Sequence, residues 1–131
     1  FMEFNPGPGV GGHCIPVDPS YLAHVANQVG VPATFIKRAN EVNLAMPAYV
    51  VKRVVTANGG SVKGKTVVVV GVSYKGNVAD TRETPAAAVI DLLREHGANV
   101  VWHDDLVGTW RGEESTPLGA FDIAVVVTRS R

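Results

Sequence analysis

The sequence predicts an α/β chain in which a helical segment precedes a small, truncated parallel sheet. Three observations carry that expectation. Within the first 60 residues, apolar side chains recur at three-to-four spacing, the period of a helix. Thr66-Val67-Val68-Val69-Val70 is then an unbroken β-branched run, as a strand buried on both faces requires. A helical stretch separates that run from a second apolar run at 99–103, and two buried strands joined through a helix pair in parallel by a right-handed crossover.

Composition bounds the function. The 131 residues are 46% hydrophobic, enough to fold, and twelve Lys and Arg balance twelve Asp and Glu. Zero net charge, with a pI near 7.1, argues against a general binder of nucleic acid or of acidic membranes. No apolar run approaches the roughly 20 residues of a membrane-spanning helix, and the first residues have neither the basic nor the apolar region expected of a signal peptide. The single Cys excludes an intramolecular disulfide scaffold and points to a reducing, cytoplasmic compartment. The length suits about one domain or parts of two. Phe1-Met2 is not a natural start, and the chain stops at Arg131 just after an apolar run, so both ends read as cut.

The elements follow in order. Residues 5–19 hold four Gly and four Pro, so no regular element is expected through this stretch. Asp18 is a candidate N-cap, with Pro19 at the first position of a short helix striped by Tyr21, Leu22, Val25, Ala26 and Val29 and ended by Gly30. A longer helix is expected from Thr34 to Asn58, kinked at Pro47. Asn40 and Asn43 lie near its apolar stripe and need partners, across an interface or in a site. Asn58-Gly59-Gly60-Ser61 ends it and marks a domain boundary, giving a division into 1–60 and 61–131. After the first strand comes a polar loop, Ser73 to Thr84. Thr84 then caps a helix with Pro85 at its first position and Ala88, Val89, Leu92 and Leu93 facing inward. Strands follow at Asn99 to His103 and Ile123 to Thr128, with a helix-poor crossover over 105–121.

Two motif matches fail on context. Gly7-Pro8-Gly9-Val10-Gly11-Gly12 fits G-x-G-x-x-G but lacks the strand before it and the helix directly after it that a dinucleotide site needs. Gly59 to Thr66 fits G-x-x-x-x-G-K-[ST], but a helix precedes it and a strand follows, the reverse of a phosphate-binding loop.

Cys14 has two readings. A lone Cys is usually a small buried hydrophobe. This one lies in a rigid Gly/Pro loop, beside Gly11-Gly12, where a ligand could approach the backbone, and four residues before Asp18. A free thiol is mostly protonated at neutral pH, so a nucleophilic role needs a cation or hydrogen-bond donors nearby. Adjacent His13 points elsewhere on an extended loop. The scattered His13, His24, His96 and His103 lack metal-ligand spacing, so no metal site is expected.

GVGGHCIPVDPSYL (9–22), RANEVN (38–43) and GVSYKGNVADTRETPA (71–86) resemble the UDP-glucose/GDP-mannose dehydrogenase family of nucleotide-sugar 6-dehydrogenases. The wording around Cys14 looks more like the UDP-N-acetyl-mannosamine and UDP-N-acetyl-glucosamine branch. The resemblance implies a helical central dimerisation segment followed by a truncated Rossmann-like, UDP-binding domain. It implies that a sugar alcohol is oxidised to an aldehyde and then to a carboxylate, with NAD as cofactor. Cys14 matches the nucleophile that holds the aldehyde as a thiohemiacetal and then a thioester. Asp18 matches the acid that positions or deprotonates water, although it could simply cap a helix. Gly11 and Gly12 match the turn lining the UDP-sugar. Lys75 matches a lysine on the UDP portion, with Tyr74 lining the same site. Lys75 also follows the carboxyl end of a parallel strand, where open α/β sheets bind ligands. Arg82 matches an arginine reaching the cofactor; the bland alternative is an Arg82–Asp80 pair in a solvated loop, with Asp80 and Glu83 ordering it. The 34–58 helix matches the family's homodimer helix. The family's amino-terminal NAD-binding domain is not in the sequence, so this chain alone is expected not to turn over. A non-catalytic UDP-sugar-binding or dimerisation module stays open as the alternative.

Overall fold

The computed structural model describes residues 5–130. The ends read as cut, Phe1-Met2 and Arg131, lie outside the described residues. The chain is a mixed helix and parallel-sheet structure with the order α1 (Cys14–Gln28), α2 (Thr34–Ala57), β1 (Thr66–Val70), α3 (Pro85–Glu95), β2 (Asn99–His103), β3 (Thr109–Trp110), β4 (Glu113–Glu114) and β5 (Ile123–Val126).

The first correction concerns α1. It begins at Cys14, not at Pro19, and no side chain caps it. Asp18 is therefore inside the helix rather than at its cap. Prolines permit this because Pro16 falls among the first four positions, whose N–H groups have no acceptor in a helix anyway. Pro19 forgoes only one bond, to the carbonyl of Ile15. Tyr21, Leu22, Val25 and Ala26 of the expected stripe lie on α1 and Val29 is its C-cap, but none is buried; Tyr21 and Leu22 are 68% and 61% exposed.

α2 runs through Pro47, as a proline costs it one bond, to the Asn43 carbonyl, and the flanking turns hold. Its C-terminal half does the packing. Pro47 and Val51 are buried, and Val50, Val54 and Val55 lean on the core, whereas Val42 and Tyr49 of the expected stripe are exposed. All three helices end alike. After α1, for example, Gly30 at φ +75° donates to Asn27 O and Val31 donates to Ala26 O, satisfying carbonyls the helix leaves open.

β1 is central, in the parallel order β2-β1-β5. Val67, Val68 and Val69 are all at most 1% exposed, so β1 is buried on both faces as its sequence requires. α3 covers one face with Ala86, Val89, Ile90 and Leu93. That is an i, i+3, i+4, i+7 stripe one step away from the expected one, since Ala88 is exposed. Thr84 caps α3 as predicted, its Oγ1 accepting from Ala86 N at 3.3 Å.

The 105–121 crossover carries no helix, in line with the helix-poor connection expected, and contains a two-stranded hairpin. Arg111 and Gly112 both take positive φ at its turn, the twist a tight hairpin needs. Arg94 pairs with Glu113 and Arg111 with Asp91, fastening the hairpin to α3, and Trp110 meets buried Trp102 edge-on at 5.9 Å. The last strand stops at Val126 rather than at Thr128, because Thr128 turns over the sheet end to donate its hydroxyl to Ser73 O at 2.7 Å.

Candidate functional site

The carboxyl ends of β1, β2 and β5 converge on residues 71–84. The order β2-β1-β5 sends successive connections to opposite sides of β1, which opens a crevice at this end of the sheet. The loop there is tied down from several directions. Tyr74 N donates to Asp80 O at 2.9 Å, Thr128 holds Ser73 O, and Asn77 N donates to Ser130 Oγ at 3.1 Å. Asp104, buried at the end of β2, accepts from the N–H groups of Val72 and Ser73 on one side and of Leu106 and Val107 on the other. Burial alone pushes its carboxyl up, but these four amides outweigh that and hold it below the usual range.

The glycines before Cys14 dock on this loop. Gly12 N donates to Arg82 O at 3.0 Å. A methyl group on Gly11 would fall 2.7 Å from Tyr74 Cβ and 2.8 Å from Glu83 O, and one on Gly12 would fall 2.9 Å from the Tyr74 ring. The space beside both glycines is thus filled by the chain itself. Two residues later Cys14 opens α1, exposed and free. This corrects the expectation of a cysteine off any helix face. The N–H groups of Cys14 and Ile15 lie in the first turn, without acceptors within the helix, where the helix end favours negative charge. Cys14 and Asp18, at i and i+4, share one helix face.

Arg82 takes the bland arrangement foreseen for it. Its Nε and Nη2 grip both carboxylate oxygens of Asp80, at 2.6–3.0 Å, while its side chain stays 66% exposed. Hydrogen bonding to Asp80 raises the guanidinium further, followed by the charge of Asp80; burial opposes, and Tyr74 and Cys14 add smaller charge effects. The Asp80 carboxyl is correspondingly lowered by those same hydrogen bonds. Nη1 makes no bond among the described residues, so one edge remains to meet an anion. Lys75 is exposed, with no hydrogen bond or ion pair among the described residues.

The structure thus brings Gly11, Gly12, Tyr74 and Arg82 into contact and sets Cys14 and Lys75 next to them in the chain. A cleft of about 670 Å³ lies between α2, residues 81–88 and the start of α1; Asn40, Asn43 and Ile15 line it, but Cys14 and Lys75 do not. Sequence reasoning missed Asp104, Thr128 and the docking of Tyr74 on Gly11. The only signal for Asp104 was an acid closing a strand. Among the described residues, no three His, Cys, Asp or Glu side chains group to hold a metal ion, and no helix is long and apolar enough to cross a membrane.

Comparison with known proteins finds one family over both halves of the chain. Residues 1–45 match the UDP-glucose/GDP-mannose dehydrogenase family, central domain, and residues 68–129 match the UDP binding domain of the same family. A UDP-N-acetyl-D-mannosamine dehydrogenase of Methanococcus maripaludis is 46% identical over 101 residues, 76% of this chain and 23% of that protein. A UDP-glucose 6-dehydrogenase of Bacillus subtilis is 36% identical over 100 residues, 76% of this chain and 22% of its own length. The solved UDP-D-ManNAc dehydrogenase of Pyrococcus horikoshii superposes with a TM-score of 0.79 at 28% identity, over 97% of this chain and 30% of that one. The chain therefore spans roughly a quarter of the length of these curated relatives. Two matched regions in the family's order, with a parallel sheet behind the second, place this chain in the UDP-glucose/GDP-mannose dehydrogenase family.

Proposed function

We propose that this chain is the active-site and UDP-binding portion of an NAD-dependent UDP-sugar 6-dehydrogenase, which oxidises the sugar C6 alcohol to a carboxylate in two steps. In this reading residues 1–60 carry the active-site cysteine and the dimerisation helix, and residues 61–131 bind UDP. The observation that carries it is the bond from Gly12 N to Arg82 O. It holds the start of the cysteine helix against the loop of Tyr74 and Lys75. A nucleotide diphosphate on Lys75 would then leave its sugar within reach of Cys14.

The chemistry follows from the residues. The Cys14 sulfur adds to the aldehyde carbon, and the first-turn amides of α1 favour the negative charge that develops there. Covalent capture retains a reactive aldehyde between the two oxidations. Loss of hydride from the thiohemiacetal carbon and of the proton from its hydroxyl leaves a thioester at Cys14; water, which Asp18 one helical turn along can orient and deprotonate, then opens it to the carboxylate and the free Cys14 thiol. NAD, when bound, supplies the hydride acceptor for both oxidations. Arg82 fits an anionic group of such a cofactor through its free, exposed edge.

The preferred substrate in this reading is UDP-N-acetyl-mannosamine. Its support is the higher identity to the mannosamine enzyme, 46% against 36% for the glucose enzyme. A homodimer through α2, in the cytoplasm, completes the reading. The exposed apolar side chains of that helix, Phe35 at 85% and Leu44 at 74%, are what a second copy would cover.

The test is a chemical trap in a chain extended to the length of the relatives. After acid quenching during turnover with UDP-sugar and NAD, peptide mass mapping should find the sugar adduct on the peptide holding Cys14. Turnover to carboxylate that persists after Cys14 has been fully alkylated would contradict it.

A further inference from the structure

Asp104 is 7% exposed, yet it touches no element of the proposed chemistry directly. Its Oδ2 accepts from Val72 N at 2.9 Å and Ser73 N at 3.3 Å, and faces Ser73 Oγ at 3.4 Å. Its Oδ1 accepts from Leu106 N at 2.9 Å and Val107 N at 3.2 Å. A buried ionised carboxylate is costly unless its lone pairs are filled, and here each oxygen takes two backbone amides. Those amides belong to the loops that follow β1 and β2. Both loops emerge at the ligand-binding end of the sheet, and Tyr74 and Lys75 come directly after the anchored pair.

We infer that Asp104 is a positioning residue for nucleotide binding: by clamping Val72 and Ser73 to the loop after β2, it fixes the exit direction of Tyr74 and Lys75. The inference rests on the proposed reading that Lys75 meets the UDP diphosphate. Ser73 is fully buried, and its carbonyl is held by Thr128 as well. Lys75 itself has no protein partner among the described residues, so the anchoring of residues 72–73 sets where its flexible stem starts. An amide in place of the carboxylate keeps the shape but turns one acceptor into a donor, which would face two backbone N–H groups.

The test is calorimetric titration of UDP into the full chain carrying D104N, K75A or both, with V89A as a core-destabilised control. K75A should weaken UDP at least about tenfold, and D104N about five- to tenfold, as expected for a lost charged contact and a displaced one. The double variant should lose no more than about twofold beyond K75A, because Asp104 acts through the same contact. V89A should lower the melting temperature while leaving UDP affinity within about twofold. If D104N does not fold, T128V loosens the same segment and should weaken UDP about threefold. Wild-type affinity in D104N (or in T128V, where that variant stands in) with a loss in K75A would overturn the positioning role and leave the nucleotide reading intact. Wild-type affinity in K75A would overturn both. Additive losses in the double variant, or an equal loss in V89A, would reduce Asp104 to a structural clamp.

Discussion

Gly12 and Arg82 join the two halves of the site: the Gly12 N–H donates to the Arg82 carbonyl at 3.0 Å, two residues before Cys14. The bond uses backbone atoms on both sides, so it depends on how closely the two segments can approach. Small residues at 11 and 12, and the ring of Tyr74 against them, make that approach possible.

Gly11→Ala tests this contact. The new methyl would lie 2.7 Å from Tyr74 Cβ and 2.8 Å from the Glu83 carbonyl oxygen, so the segments must part. Overpacking of this kind costs about 1–3 kcal/mol, measurable by denaturant unfolding. On the proposed function, a protein extended to the length of the relatives should also lose dehydrogenase activity beyond what the stability change explains. An Ala variant with unchanged stability would mean that the two segments do not pack as described.

Arg82→Ala separates structure from cofactor binding. The Arg82 side chain is 66% exposed, so its removal should change the melting temperature little. If the free edge of the guanidinium meets the cofactor, KM for NAD should rise several-fold with little change in KM for the UDP-sugar. A variant with unchanged KM for NAD would leave Arg82 with only its loop contact.

Asp104 should give stability a sign and a window on the pH axis. Its folded value lies below the ordinary 3.8, because four amides outweigh the penalty of burial. The carboxylate therefore contributes stability that is present above that ordinary value and is lost as pH falls through the lower, folded one. The melting temperature should drop in that acidic interval. The drop should be smaller in D104N, which starts from a lower plateau. Parallel curves for the two proteins would contradict the assignment.

Much of the frame was legible in sequence because its signals are local. The runs 66–70 and 99–103 are strands at those residues, α2 starts at Thr34, and Thr84-Pro85 opens α3. The start of α1 is hidden because Asp18-Pro19 carries the local signature of a helix start and the Gly/Pro content of 5–19 that of a loop, whereas the helix already begins at Cys14. The hairpin at 109–114 escaped because two-residue strands have no period to detect. Asp104 and the Gly11–Tyr74 contact escaped for a further reason. Each pairs groups far apart in the chain, so nothing in the neighbouring sequence encodes them. Cys14 stands out in the sequence by its Gly/Pro surroundings, by Asp18 four residues on and by the family resemblance, but only the structure places it at a helix start.

The measurement that bears most directly on the account is the yield of NADH per UDP-sugar consumed, with Cys14→Ser compared with the wild type in the full-length enzyme. Without the thiol to hold the aldehyde, the second oxidation should fail. The wild type should give two NADH per sugar, and the Ser variant one at most, with no carboxylate formed. A Ser variant that still gives two NADH and the carboxylate at the wild-type rate would contradict the central role assigned to Cys14.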